Sequence, residues 1–208
     1  MEINAQDFDS IVRNIFKPIY PVIADQIIAR TGITGGICLD VGCGTGYLGA
    51  ALARATQLYM YFLDQSLDMI EIAKRTIHEN NLQERAETIH GDVSSIDLPD
   101  NSINLAVSRG SVFFWEDLPQ AFREIYRVLM PYGWAYIGGG FGSRELKESI
   151  KREMLASKVT DAQFGNHMRR NLSPETRKRF ETALKTAGIE SYTILHGEDI
   201  GLWIMIRK

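Results

Sequence analysis

The stretch that most constrains this chain is Ile37-Cys38-Leu39-Asp40-Val41, followed directly by Gly42-Cys43-Gly44-Thr45-Gly46. Leu48, Ala51, Leu52 and Ala55 then recur at helical spacing. A short apolar run that breaks into glycines and passes straight into a helix reads as a strand–turn–helix unit. Glycines there let the backbone turn sharply and come close to a ligand. The first N–H groups of the helix beyond have no intrahelical partner and face the same place.

The rest of the chain repeats the alternation. Leu58 to Leu63 is an apolar run ending at Asp64, the pattern of a strand covered on both faces. Ser66 is placed to cap a helix running to about Asn80-Asn81, with Asp68 in its positive first turn. Strands are expected over Ala86–His90, Ile103–Ser108 and Trp134–Ile137, with Met130-Pro131-Tyr132-Gly133 as a turn before the last. Asp117 and Pro119 open a helix striped by Leu118, Phe122, Ile125 and Leu129. Alternating strands and helices argue an α/β fold, a parallel sheet covered on both faces.

Both ends depart from this rhythm. Residues 1–30 read as a helical cap, interrupted at Pro18 and Pro21. Arg144 to Val159 reads as a charged amphipathic helix, and Asp161 to Leu172 has no clear assignment. Ser173-Pro174 starts a helix that stops at Gly188. Ser191–Leu195 and Leu202–Ile206, joined across Gly197–Gly201, form an antiparallel hairpin.

Composition narrows the function classes. A chain of 208 residues with 45% apolar and 24% charged residues buries a full core as one domain, without disulfide or metal staples. A net charge of −3 supplies no basic footprint for nucleic acid. No apolar run is long enough to span a bilayer, and an acidic N-terminus with no apolar region after it is not a signal peptide. Cys38 and Cys43 have no histidine pair spaced to complete a zinc site, so no metal is expected and a reducing, cytoplasmic location fits.

The acids at the strand ends carry the chemistry. A dinucleotide would rest its pyrophosphate on the glycine turn. Here the glycines run G-x-G-x-G, and Asp40 precedes them. A carboxylate repels phosphate but suits an ammonium or sulfonium. Asp64 ends the second strand, where an acid accepts hydrogen bonds from ribose hydroxyls. Asp92 ends the third and is placed to accept from an exocyclic amine such as that of adenine. Together they suit a ligand with amine, ribose and adenine but no phosphate.

Asp40-Val41-Gly42-Cys43-Gly44-Thr45-Gly46, Asp64-Gln65-Ser66 with Met69, and Gly91-Asp92 resemble the successive cofactor motifs of class I S-adenosylmethionine-dependent methyltransferases. Ala121 to Pro131 resembles the helix-and-turn signature of the small-molecule branch, and the closing hairpin resembles the family's last two strands. The resemblance implies a single domain over residues 1–208. Its fold would be a Rossmann-like three-layer sandwich, a seven-stranded, mostly parallel sheet with an antiparallel C-terminal hairpin. It implies S-adenosyl-L-methionine as cofactor, with S-adenosyl-L-homocysteine as product.

Carried over by position, Gly42, Cys43, Gly44 and Gly46 would line the methionine and ribose part of the cofactor. Asp40 would sit near its amino group and Asp64 would hold the ribose. Gln65 and Met69 would pack on adenine, and Asp92 with Val93 would meet its edge. Ser108 would lie beneath the methionine moiety, and Tyr20 would fold over the cofactor. Met69, Ser108 and Tyr20 each have a plain packing reading as well. Three positions depart from the family pattern: Asn104 replaces an acid, Phe62 a glycine, and Tyr132 the middle residue of a Pro-Gly-Gly turn. Tyrosine at 132 is strained if the turn needs a positive φ, and a type I turn would avoid this.

The sulfonium methyl is already electrophilic, so no catalytic side chain is assigned. The acceptor would face the loop Arg109 to Glu116 and residues 143–172, read as an insertion on the acceptor side. Arg109, Trp115 and His167 are the acceptor-site candidates. For Arg109, three roles stay open: an anionic acceptor, the cofactor carboxylate, or a neighbouring acid. Phe113 and Phe114 serve equally well as anchors of the loop. The loop lacks the Asn/Asp-Pro-Pro-Tyr run of enzymes that methylate base or amide nitrogens. The expected partner is a small-molecule acceptor, with neither nucleic acid nor membrane involved, and the sequence leaves oligomeric state open. Two other functions stand beside this one: a non-catalytic module that binds S-adenosylmethionine or S-adenosylhomocysteine, and a nicotinamide-dependent oxidoreductase. Asp40 and the glycine spacing weigh against the oxidoreductase.

Overall fold

A computed structural model describes residues 4–156, 173–197 and 200–208. Its strands are β1 (Gly35–Val41), β2 (Gln57–Asp64), β3 (Ala86–His90), β4 (Ile103–Arg109), β5 (Leu129–Gly139), β6 (Tyr192–Gly197) and β7 (Gly201–Arg207). They form one sheet in the order β3-β2-β1-β4-β5-β7-β6. The first five are parallel, and β7 is antiparallel to both β5 and β6. The order reverses between β1 and β4, and open α/β sheets bind ligands at the strand ends beside such a reversal.

Helices cover both faces. They are α1 (Ala5–Ile11), α2 (Ile19–Thr31), α3 (Tyr47–Ala55), α4 (Leu67–Glu79), α5 (Leu118–Val128), α6 (Arg144–Ala156) and α7 (Pro174–Thr186). Side chains alternate across the sheet and separate two cores. Leu58, Met60 and Phe62 of β2 meet Ile19, Ile23 and Ile27 of α2 and Leu48 and Leu52 of α3 on one face. Leu39, Val41 and Leu63 join Phe122 and Ile125 of α5 and Phe180 and Leu184 of α7 on the other. Each fully buried side chain of this size contributes about 1.5–3 kcal/mol.

The caps match the sequence. Ser66 accepts from the Met69 N–H, Asp117 from Gln120 and Ser173 from Thr176. Three details differ. Pro18 caps α2, but Pro21 lies inside its first turn, where a helix N–H has no partner to lose. The first helix is not uniform: α1 passes into a π-helical turn over Val12–Phe16 that buries Val12, Ile15 and Phe16. Met130–Gly133 is not a turn before a strand; it is part of β5. The Tyr132 N–H donates to the Lys208 carbonyl and the Lys208 N–H to that of Gly133, so pairing with the chain beyond β7 carries the strand through. No type I turn relieves Tyr132, which sits at φ 67°.

Asn104 proves structural: its Oδ1 accepts from the Ile37 N–H at 2.8 Å, a task amide and carboxylate perform alike. Phe62 fits because Gly49 lies over it; a Cβ at 49 would come within 2.4 Å of the ring. The helix expected over Arg144–Val159 is described as far as Ala156 and packs against the π-helical turn. The remainder of 143–172, including His167, lies outside the described residues.

Candidate functional site

The parallel register sets Val41 beside Leu63, Asp64 beside His90 and Asp40 beside Val107, so the ends of β1 to β4 share one edge. A cavity of about 530 Å³ opens there. Gly42, Asp64, Gln65, Asp92, Val93 and Trp115 line it, together with Ser94, Ser111, Phe114, Glu116 and Asp117. Among the described residues that line it, four side chains are carboxylates and none is lysine or arginine.

Asp64 organises the middle of this edge. Its Oδ2 accepts from the Gly44 N–H at 2.8 Å and its Oδ1 from the Ser66 N–H at 2.9 Å. One carboxylate thus ties the glycine turn to the start of α4. Each oxygen keeps a second lone pair for a hydroxyl donor. The Cys43 N–H adds a bond to the Leu63 carbonyl. Gly42, at φ 62°, cannot be replaced without collision: a Cβ there would lie 2.4 Å from Ser111 Oγ. Ser111 in turn donates to the Val41 carbonyl at 3.0 Å and lies 2.6 Å from Ser108 Oγ. Ser111 was not a sequence candidate, because nothing local links it to a strand end 70 residues earlier.

Asp92 is exposed at the far wall, where its Oδ1 accepts from the Ser94 N–H. Its loop is pinned from α5. Arg127 donates to the carbonyls of Ile96 and Leu98 and pairs with Asp100 and Glu124, while Glu124 accepts from the Ile96 N–H. The Arg127 hydrogen bond holds the Glu124 carboxyl below its usual range. The sequence signature around α5 therefore serves the site at one remove, by fixing the Asp92 loop.

Asp40 is buried behind the glycine turn, outside the cavity lining, and accepts from the Gly49 N–H at 2.9 Å. Burial raises its pKa to about 7, against the Gly49 hydrogen bond and with help from the Asp64 charge. Gly44, Gly46, Met69, Ser108, Tyr20 and Arg109 also lie outside the lining. Met69 is half-buried in the first turn of α4, and Gln65 is exposed. The Cys43 thiol is pushed well up by burial, which disfavours a thiolate.

Tyr20 is buried against Tyr47, with ring centroids 5.7 Å apart. Burial raises its pKa, and the Arg109 charge and hydrogen bond pull the other way. Arg109 pairs with no acid among the described residues. Trp115 lines the same cavity as Asp92, backed edge-on by Phe122 at 6.1 Å. Phe113 is an anchor, packed on Phe180, whereas Phe114 stays exposed at the rim. Phe8 of α1 stands 3.9 Å from the Cβ position of Gly44, so the N-terminal cap overlies the glycine turn.

A family described as "Methyltransferase domain" matches residues 39–137. A crystal structure from Methanococcus maripaludis, provisionally named an S-adenosyl-L-methionine-dependent methyltransferase, is 45% identical, with a TM-score of 0.93. That match covers 100% of this chain and 94% of the other. Sterol 24-C-methyltransferase erg6 of Aspergillus fumigatus is 28% identical over 88% of this chain and 48% of its own length. The arginine-hydroxylase NDUFAF5 of Rattus norvegicus is 29% identical over 64% of this chain and 36% of its own. The chain thus spans about half or less of these two curated relatives. Its strand order, its acid-lined cavity and its likeness to the Methanococcus maripaludis protein along nearly the whole length of both agree: the chain belongs to the S-adenosyl-L-methionine-dependent methyltransferases.

Proposed function

We propose that this protein transfers the methyl group of S-adenosyl-L-methionine to a small-molecule acceptor by in-line displacement, releasing S-adenosyl-L-homocysteine. One observation carries the reading: the cavity at the strand ends is walled by Asp64, Asp92, Glu116 and Asp117, with no cationic side chain among the described residues that line it. Such a wall repels a pyrophosphate and accepts an adenosine that bears no phosphate. Asp64 would receive the ribose hydroxyls, Asp92 with Val93 the adenine edge, and Gly42, Cys43 and Gly44 would give backbone contact. Trp115 would close over the base.

The bound cofactor supplies an electrophilic methyl. The chain's own part is to align donor and acceptor and keep water out, and alignment of this kind lowers barriers by roughly 7–11 kcal/mol. No general base is assigned, because one is needed only for an acceptor that arrives protonated. The acceptor side would be formed by the N-terminal cap and residues 143–172, His167 among them. No described helix is long and apolar enough to cross a membrane, and Cys38 and Cys43 are free thiols. A cytoplasmic location belongs to this reading.

Calorimetric titration with S-adenosylmethionine, S-adenosylhomocysteine and NAD tests the proposal. The first two should bind and NAD should not; tight NAD binding with neither of the others would overturn it. Asp64→Ala should weaken S-adenosylhomocysteine by about 1.5–3 kcal/mol, the worth of hydrogen bonds to a charged acceptor. A relative named for a reaction other than methyl transfer, the arginine-hydroxylase, gives weight to a second reading, in which this chain binds S-adenosylmethionine or S-adenosylhomocysteine without transferring a methyl group. Release of S-adenosylhomocysteine in the presence of a metabolite extract separates the two.

A further inference from the structure

Ser111 stands where two walls of the cavity meet. Its Oγ lies 3.0 Å from the Val41 carbonyl and 2.6 Å from Ser108 Oγ. A carbonyl only accepts, so Ser111 directs its single proton to Val41 and accepts the hydrogen bond of Ser108. Ser108 is fully buried, which shields this pair from competing water. The hydroxyls therefore run in one direction, from Ser108 through Ser111 to the end of β1. The Ser111 side chain also rests on Gly42: a Cβ at 42 would fall 2.4 Å from its Cβ and 2.4 Å from its Oγ.

From Ser111 the chain enters the 3-10 turn Ser111–Phe114 and brings Phe114 and Trp115 to the cavity. Other elements hold the far part of this loop. Phe113 packs on Phe180 of α7 and Trp115 on Phe122 of α5, while Arg179 donates to the Trp115 carbonyl at 3.3 Å. Those contacts fix the loop to the helices, not to the glycine turn. Among the described residues, the hydrogen bond that crosses to the end of β1 is that of Ser111. We propose that Ser111 is a positioning residue: it clasps the aromatic loop to the glycine turn and so sets the spacing between Gly42 and Trp115 for the cofactor. It acts through those two residues rather than through the reacting atoms. A wall fixed in advance needs no ordering when the ligand arrives, and affinity gains accordingly. The inference rests on the cofactor reading above.

The test combines calorimetry with S-adenosylhomocysteine and amide hydrogen exchange, both on the full chain. Ser111→Ala keeps the anchors on α5 and α7, so the variant should fold. Well below its melting temperature it should bind S-adenosylhomocysteine roughly 3- to 10-fold more weakly, up to the worth of one neutral hydrogen bond. Protection over residues 110–116 should drop and return with saturating ligand, while α5 and α7 stay protected. Ile204→Val is the control. It trims a fully buried side chain of β7 in the same core, outside the cavity lining. It should lower the melting temperature yet keep affinity within about twofold, a split that a merely structural Ser111 would share. If Ser111→Ala binds as tightly as the wild type, or loses protection across α5 and α7 as well, the clasp is overturned. An equal loss of affinity in Ile204→Val overturns it too. Wild-type protein that binds no S-adenosylhomocysteine would overturn the cofactor reading and this inference with it.

Discussion

Tyr132 shows how one side chain can conflict with its backbone. It stands in the left-handed region at φ 67°, where a Cβ costs roughly 1–2 kcal/mol, and its ring is 76% exposed. Little packing is therefore lost with the ring. Tyr132→Gly should raise unfolding stability by about 1 kcal/mol in urea titrations, after the added chain entropy of glycine is subtracted. A loss of stability would mean that the ring packs more than its exposure suggests. The sequence posed this conflict as a condition, strain if φ were positive, but the sign of φ depends on Lys208 pairing across the strand. Asp64 and Asp92 were legible because acids at strand ends can be read from local pattern. Ser111 and the rings of Phe16 and Phe141 around Arg109 were not, since their partners come from distant parts of the chain.

At the level of elements, the segment between β3 and β4 matters most. It carries Asp92 and Val93 yet contains no described helix or strand, and α5 holds it in place through Arg127 and Glu124. Removing Arg127 takes a donor from two carbonyls and two carboxylates, of which Glu124 keeps the Ile96 N–H. Arg127→Met should cost about 2–3 kcal/mol of stability. It should also speed proteolysis within residues 92–102 and weaken S-adenosylhomocysteine by loosening the Asp92 wall. Unchanged proteolysis and affinity would reduce the pair to surface decoration. Strands and caps were predicted well here because they rest on local periodicity and on side chains that bond their own backbone. The passage of α1 into a π-helical turn was not, because it follows from how Val12, Ile15 and Phe16 pack on the sheet. Nor was the run of β5 through Met130–Gly133, which depends on its partner strand.

For the whole molecule, Asp40 links burial to stability. Its pKa rises from 3.8 to about 7 on folding, chiefly through burial. Between those values the folded chain holds a proton that the unfolded chain has released. Stability should therefore fall as pH rises through that window, by at most about 1.4 kcal/mol per pH unit from this group. Asp40→Asn keeps an acceptor for the Gly49 N–H and removes the titration, so its thermal stability should change less between pH 5 and 7 than that of the wild type. Parallel curves would show that Asp40 does not titrate there.

What the chain determined by itself was everything carried by local pattern. That covers the strand–turn–helix unit, the alternation that makes a two-sided sheet, and the acids at three strand ends. Hydrophobic period, glycine and capping chemistry act over a few residues and so leave a mark that can be read directly. Tertiary structure alone decided which of those acids face the cavity. It sent Asp40 inward to brace α3 and left Asp64 and Asp92 on the wall. It also brought Phe16, Tyr20 and Phe141 around Arg109, because contacts between segments far apart in sequence form only when both cores close on the sheet.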